Sequence, residues 1–404
     1  MKLISIPKNK YEEYRLDVIF NGYKWDPQFK DSNTIAKYAL VISEDEHNEL
    51  KNLTERLGRE TTRAEDALNN NFKLTKDLEL PFFIHKDLKN IKNYEADRHI
   101  RLKRFDFHPT IDDKWMISEV NSDVPGGLAE ASLMPFFAKE LFKHEGYLFI
   151  DFGYYLVNVI ASKVKPGGRI VLVHCTSYSD DRQVMQFLGD KLFYRGFDVI
   201  YAAADHLRFD NNEAICILDG KQGKVDAIFR FTPLEWLIRI KPKCWQGYFN
   251  TITPSCNHPV VIYTQTKRFP FVWNQLEKAG VDLSFWRELL PETIEISDVK
   301  NRDDYIYKPV HGRVGEKISI KEACHDDEYE KILKDVKRHP KKYIAQKKFI
   351  SKPLVSPDGK SFHVCIGSFC VDGNAAGYYA RISEAPRIDS YSADIPVLIE
   401  GENK

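Results

Sequence analysis

The spacing of apolar and polar positions changes character along the chain, and each change marks a structural boundary. From Glu44 to Leu68 charged residues occupy most faces of a helical pattern, which predicts a polar helix in an outer layer. From Arg101 to Asn121 the pattern alternates in steps of two around a turn at Pro109-Thr110-Ile111-Asp112-Asp113-Lys114, which predicts a strand pair. Pro125-Gly126-Gly127 then leads into an apolar helix from Leu128, whose N-terminus would offer free N–H groups to an anion; the same three residues also suit a plain turn.

A second regime opens at the turn Lys165-Pro166-Gly167-Gly168. An apolar strand, Arg169 to His174, precedes a helix with Ser179 or Asp180 as its cap and Val184, Phe187, Leu188 and Leu192 on one face. Gly196 ends that helix, Phe197 to Tyr201 returns to strand, and Val225 to Phe231 adds another. Strand, helix, strand at this spacing predicts a small Rossmann-like lobe with parallel strands. No G-x-G-x-x-G follows its first strand, so dinucleotide binding is not supported.

The third regime starts at Thr264-Gln265-Thr266-Lys267-Arg268-Phe269-Pro270, with a helix from Phe271. Strands are expected at Asp304 to Val310, Lys317 to Ile320, Lys342 to Ile350, Ser361 to Val371 and Gly377 to Ile382, together an antiparallel sheet. The polar segment Lys321 to Lys341 reads as an exposed helix. The chain thus divides into blocks at 1–160, 165–262 and 263–404, a mixed α/β and α+β organisation without internal repeats.

Composition narrows the function classes. With 59 basic and 59 acidic residues among 404, the chain has no net field to draw it to nucleic acid or a membrane surface. No apolar run reaches membrane-spanning length, and charged residues follow the first seven positions at once, unlike a signal peptide. The seven cysteines are scattered and never spaced C-x-x-C, which suits reduced thiols in the cytoplasm; the alternative is a catalytic cysteine served by His174 or His363.

The densest local chemistry is Arg104-Phe105-Asp106 followed by Glu119-Val120-Asn121-Ser122-Asp123. Alternate strand residues share a face, so Arg104 and Asp106 point together, as do Glu119 and Asn121. Paired across a hairpin, Asp106, Glu119 and Asn121 offer the oxygen donors that magnesium takes when water and phosphates complete its shell. Arg104 beside them suits a transferring phosphoryl group. Two amphipathic strands with solvated polar faces are the other reading. Further on, Tyr307-Lys308-Pro309-Val310-His311-Gly312-Arg313-Val314-Gly315-Glu316-Lys317 places a lysine at a strand end before a turn with two glycines and an arginine, a hairpin able to close over phosphates, although an ordinary hairpin would look the same. Lys267 and Arg381 are isolated cations in suggestive places, and Gln346-Lys347 sits in a strand that could offer backbone to an adenine edge.

Taken together and in this order, the motifs resemble the glutathionylspermidine synthase family of circularly permuted ATP-grasp carboxylate-amine ligases, from about residue 100 to the C-terminus. The metal set comes first and Lys267 and Lys308 come after, the permuted order. The resemblance implies that Asp106, Glu119 and Asn121 hold Mg²⁺, that Arg104 meets the transferred phosphoryl group, and that Lys267 and Lys308 bind ATP phosphates. It implies further that Gly312, Arg313 and Gly315 form the closing loop, that Gln346 and Lys347 lie at the adenine hinge, and that Arg381 faces the reacting centre. The expected activity joins a small-molecule or peptide carboxylate to an amine through an acyl-phosphate; a degenerate nucleotide-binding protein and a small-molecule kinase are the alternatives. Val124 and Gly126 stand where glutathione-binding members carry small hydroxyl residues, which argues against glutathione as the acid. Asp123 or Glu235 is a candidate to receive the amine, and residues 1–100 hold no cysteine for an amidase domain of the kind found in bifunctional relatives. The segments Phe231 to Trp236 and Ala393 to Pro396 look family-like without suggesting a role.

Overall fold

The computed structural model describes residues 1–92, 94–312 and 318–401. The strand pair expected around Arg104 forms as Leu102–Pro109 and Trp115–Asn121, on one side of a six-stranded sheet. Ser361–Val371 pairs antiparallel with Leu102–Pro109, followed outward by Asn374–Ser383 and Ala393–Ile395. The central sheet therefore interleaves strands more than 250 residues apart, with partners such as Asp106 and Gly367 in register.

Alternation divides this sheet into two faces. Phe105, Phe107, Ile366, Ser368 and Tyr378 turn toward the helix Glu44–Asn70. Arg104, Asp106, Gly367, Tyr379 and Arg381 turn the other way. The long helix, expected as an outer layer, instead buries a complete stripe that includes Leu50, Leu57, Thr61, Ala64 and Leu68. Its polar residues concealed this, because those on the stripe are paired on burial. Thr54 donates to Ser368 at 2.7 Å, Glu60 accepts the Phe285 and Trp286 amides, and fully buried Glu65 accepts from Thr264 and faces Arg101 and Lys103. A capping box, Ser43 with Glu46, starts the helix.

The middle block forms a four-stranded parallel sheet in the order Ser255–Cys256, Ala227–Arg230, Arg169–Val173, Asp198–Ala202. Helix Ser179–Tyr194 buries Val184, Phe187, Leu188 and Leu192 against it, as the periodicity requires, and Gly196 at φ 91° follows its end. Neither expected cap acts as one: the helix begins at Ser179 itself, and the Ser179 hydroxyl donates to Asp180.

The strands expected as one C-terminal sheet divide between two. Thr293–Ile294, Tyr343–Lys347 and Tyr305–Pro309 make a small antiparallel sheet, while Ser361–Val371 and Asn374–Ser383 belong to the central one. Helix Asp326–Arg338 is not wholly exposed, since Ile332 and Val336 pack on Tyr307, Tyr343 and Ala345 of the small sheet. The expected strand at Lys317 to Ile320 is absent over 318–320. Ser319 donates its amide to the Tyr307 carbonyl and its hydroxyl oxygen accepts the Tyr307 amide, so a side chain replaces the second rung of a ladder. Lys317 lies outside the described residues. A further, mixed sheet, with Lys2–Ser5 antiparallel and Val397–Ile399 parallel to Tyr38–Ile42, ties together the two ends of the described chain. No helix among the described residues is long and apolar enough to cross a membrane.

Between the parallel sheet and the central sheet, the buried His99 and His258 cluster with the partly buried ring of Tyr94, the two imidazoles 4.6 Å apart. Burial is the largest influence on both, taking His99 down to about 3 and His258 well below its ordinary value. An unfolded histidine takes up a proton near pH 6.5 and these do not, so their contribution is complete above that pH and is lost as the pH falls toward 3. Each should cost about 2 kcal/mol of stability at pH 5. Urea melts at pH 7 and pH 5 measure this directly, and a midpoint unchanged between them would show that the pair is not held neutral.

Candidate functional site

Arg104 can lie flat across the central sheet because its neighbour is Gly367, where an added Cβ would come within 2.6 Å of the arginine Cδ. From there its guanidinium donates through Nε to Asp106 Oδ1 at 2.7 Å and through Nη2 to Oδ2 at 2.9 Å, a bidentate pair. Nη1 donates to the Gly126 carbonyl at 2.8 Å, and the group sits 5.1 Å from the ring centre of Tyr379. Asn121 Nδ2 donates to Asp106 Oδ2 at 3.2 Å. The adjoining Gly127 has φ 85°, and an added Cβ would lie 2.5 Å from the Tyr379 ring. Both glycines are thus fixed by the site.

Regular alternation does not account for Glu119. Phe105 opposes Val120 and Phe107 opposes Ile117, so Ser118 and Glu119 together face the single residue Asp106. This two-for-one bulge lets both Ser118 and Glu119 line the cleft that Asp106 lines. Glu119 Oε2 meets Lys267 Nζ at 2.9 Å, and Lys267 also donates to the Gly312 carbonyl at 2.8 Å. Lys308, only 3% exposed, donates to the Ser118 carbonyl at 3.0 Å. Burial, with Lys267 adding to it, brings the Lys308 ammonium down to about 8 against the pull of Glu119. Burial alone would raise the Glu119 carboxyl, but Lys267 and Lys308 outweigh it and hold it near 2.

A cavity of about 410 Å³ opens between the central and small sheets. Asp106, Glu119, Lys308 and Arg381 supply its charged wall, and Ile306 and Phe349 are among its apolar residues. Charged and apolar side chains lining one cleft suit a ligand with a phosphate tail and a flat base. Beside it, Gln346 lines a smaller void with Lys267 and Lys308, and its buried Oε1 has no hydrogen-bond partner. Two carboxylates and an amide form a hard oxygen donor set, so the residues fit a magnesium ion whose other ligands are phosphates and water. Among the described residues no three His, Cys, Asp or Glu side chains gather as a metal site.

Of the residues singled out from sequence, Asp106, Glu119, Lys308 and Arg381 line the cleft, Lys267 and Gln346 line the adjoining void together with Glu119 and Lys308, Arg104 and Asn121 bond to Asp106, and Gly312 accepts from Lys267. Lys347 is not among them. Its side chain is exposed, its amide donates to the Glu292 carbonyl and the next amide, of Lys348, to Asp304, so strand neighbours already use this backbone. Arg313 and Gly315 lie outside the described residues. Asp123 is not available to an amine, because its carboxylate is fully buried against Arg230 and accepts the Leu234 amide. That contact also explains the segment around Phe231 to Trp236: it anchors the Glu119 to Asp123 stretch to the parallel sheet. His174 and His363 bond to the Leu172 carbonyl and the Ser351 hydroxyl, and burial pushes the Cys365 thiol up, against its use as a nucleophile with His363.

Two features had no usable sequence signal. Arg387, in the loop after Asn374–Ser383, lines the cleft and pairs with Glu328 of helix Asp326–Arg338 at 2.9 Å. Lys24, buried, meets Asp394 at 2.7 Å, Asp26 at 3.0 Å and Glu130 at 3.2 Å, while Tyr379 donates to Asp394 at 2.6 Å. Asp394, from the second family-like segment, thereby holds the ring on which Arg104 rests.

The model of the family described as glutathionylspermidine synthase preATP-grasp matches residues 6–400. Among solved structures, a glutathione synthetase-like effector, GSS30, from Globodera pallida in its apo form is 13% identical, with 97% of each chain covered and a TM-score of 0.63. A putative gamma-glutamylcysteine synthetase from Methylobacillus flagellatus KT is 11% identical over 83% of this chain and 86% of that one, with a TM-score of 0.41. No curated protein matches the chain.

Proposed function

Because this chain belongs to the glutathionylspermidine synthase preATP-grasp family, we propose that it is an ATP- and magnesium-dependent ligase that joins a carboxylate to an amine through an acyl-phosphate. Its fold is the circularly permuted ATP-grasp arrangement, with the parallel sheet as the Rossmann-like lobe. The observation that carries the reading is the contact of Lys267 with Glu119, where the cleft lined by Asp106, Glu119, Lys308 and apolar residues adjoins the void that Lys267 and Lys308 share.

Lys267 and Lys308 hold the ATP phosphates, and Gln346 offers its unpartnered amide oxygen to a donor such as the adenine amino group. Asp106, Glu119 and Asn121 would hold magnesium, which when bound neutralises phosphate charge. Lys267 then leaves Glu119 for a phosphate oxygen. Arg104 and Arg381 bind the substrate carboxylate, one oxygen of which attacks the γ-phosphorus as ADP departs. The amine nitrogen next attacks the acyl carbon, phosphate leaves, and the nitrogen loses a proton. Gly312, Arg313 and Gly315 form the closing loop that excludes water, and Lys347 borders the hinge. Blocks 1–160 and 263–404 supply the catalytic unit and 165–262 the supporting lobe, in a protein that works in the cytoplasm without nucleic-acid or membrane partners.

Purified protein should release ADP and phosphate only when a carboxylate and an amine are offered together. Amino acids, short peptides and polyamines, tested singly and in pairs with ADP release and product mass followed, decide it. A phosphorylated acid made without an amine would replace ligation by a kinase reaction. No nucleotide binding at millimolar concentration would leave a protein that has lost the reaction.

A further inference from the structure

A second cavity, of about 290 Å³, lies where the strand Leu102–Pro109 begins. It shares no lining residue with the cleft. Arg101, in its wall, precedes Asp106 by five strand residues, roughly 16 Å. Three structural elements bring cations to it. Arg59 and Arg63 stand one turn apart on helix Glu44–Asn70, Arg101 leads into the central strand, and Lys163 ends helix Phe152–Lys163. We propose that this cavity binds a small multivalent oxyanion, a di- or tricarboxylate or a phosphorylated metabolite.

The hydrogen-bond inventory favours an anion over water or a neutral ligand. Arg59 and Arg63 are exposed and form no ion pair with the described residues, and Lys163 donates to the backbone carbonyl of Asp97. Arg101 directs its terminal nitrogens to Glu65 and Asp66, but its Nε–H has no acceptor although the residue is 6% exposed. His99 accepts the Ser255 amide at Nδ1, which puts the proton of the neutral ring on Nε2. That second N–H also lacks an acceptor, on a residue 1% exposed. Two buried N–H groups without acceptors thus stand on residues of the cavity wall, behind a rim of cations whose charge is what an entering anion would meet. Carboxylates on the walls do not cancel this: with Arg101 paired to Glu65 and Asp66, Asp97 and Asp372 still face Arg59, Arg63 and Lys163, and Asp372 already accepts the Arg101 amide at 2.8 Å. The volume, at the lower end of ligand cavities of ~300–1,000 Å³, limits the occupant to a small metabolite.

Calorimetric titrations of the whole protein with citrate and with inorganic pyrophosphate, each in low-salt magnesium-free buffer, test the site and separate the two chemical classes. At least one anion should bind with Kd below about 1 mM. Arg59→Glu with Arg63→Glu should weaken it by about tenfold or more, and the milder Arg63→Gln in the same direction. Lys308→Met removes any further pyrophosphate bound in the nucleotide cleft and should leave the binding that the double arginine variant weakens unchanged. Binding of citrate alone would assign a carboxylate ligand, and of pyrophosphate alone a phosphorylated one. The proposal falls if neither anion binds, or if binding is lost in Lys308→Met and kept in the double arginine variant.

Discussion

Replacing Arg230 by methionine is expected to remove about 3–5 kcal/mol of folding stability, the usual result of taking one partner from a buried ion pair. Arg230 and Asp123 are both fully buried, and the guanidinium also donates to the Thr232 and Asn257 carbonyls. Methionine fills much of the space but takes the cation from the buried Asp123 carboxylate, which keeps the Leu234 amide as a donor. Asp123 follows Asn121 by two residues, so the same change should loosen the stretch that carries Glu119 and Asn121. Urea unfolding reads the first effect. The companion Asp123→Asn in the Arg230→Met background should recover part of the loss, because a neutral amide is far less costly to bury than an unpaired carboxylate. If Arg230→Met melts within about 1 kcal/mol of the parent, the pair is not the anchor described.

Local periodicity made the parallel sheet legible. A turn with Pro and Gly, a β-branched strand and a helix with Val184, Phe187, Leu188 and Leu192 on one stripe need only neighbours in sequence to be recognised. The hairpin of Arg104 and Asn121 was legible for the same reason. What sits beside that hairpin was not, because Ser361–Val371 reaches it from more than 250 residues away and its own pattern reads equally well as part of a C-terminal sheet. Burial of the long helix is not legible in its own pattern because Glu60 and Glu65 occupy core positions, and their partners, Trp286 and Lys103 among them, come from other segments.

The candidate site shows the same division. Residue types and their order pointed to Asp106, Glu119, Asn121, Lys267 and Lys308, but the bulge that turns Ser118 and Glu119 to the cleft depends on register, which no alternation rule supplies. Asp123 was open to misreading because a carboxylate beside metal-type residues looks available until Arg230 is seen against it. Gly367 and Gly127 carried a usable signal, a glycine inside a strand and one before a helix, yet only the placement of Arg104 and Tyr379 explains them.

Lys308→Met should lower the affinity for ATP by about 2–5 kcal/mol, roughly thirtyfold to several thousandfold, since it removes a buried cation from the proposed phosphate site. Methionine keeps the length and apolar stem of the side chain, so the fold should tolerate it better than alanine. A pH series distinguishes lost charge from lost packing. In the free protein Lys308 titrates at about 8, and bound phosphates favour its ammonium form. Below pH 8 the group is already charged and the affinity should be level. Above it, binding requires uptake of a proton, and the affinity should fall by up to about tenfold per pH unit until the raised value of the complex is reached. Calorimetry in magnesium-free buffer with EDTA isolates this group from metal binding, and two buffers of different ionisation enthalpy count the protons taken up. The parent should show the decline and the uptake, Lys308→Met neither, and Lys308→Arg a level affinity across the same range because its cation does not titrate there. An equal decline above pH 8 in parent and Lys308→Met would remove Lys308 from the nucleotide site and leave Lys267 as the phosphate contact to be tested in the same way.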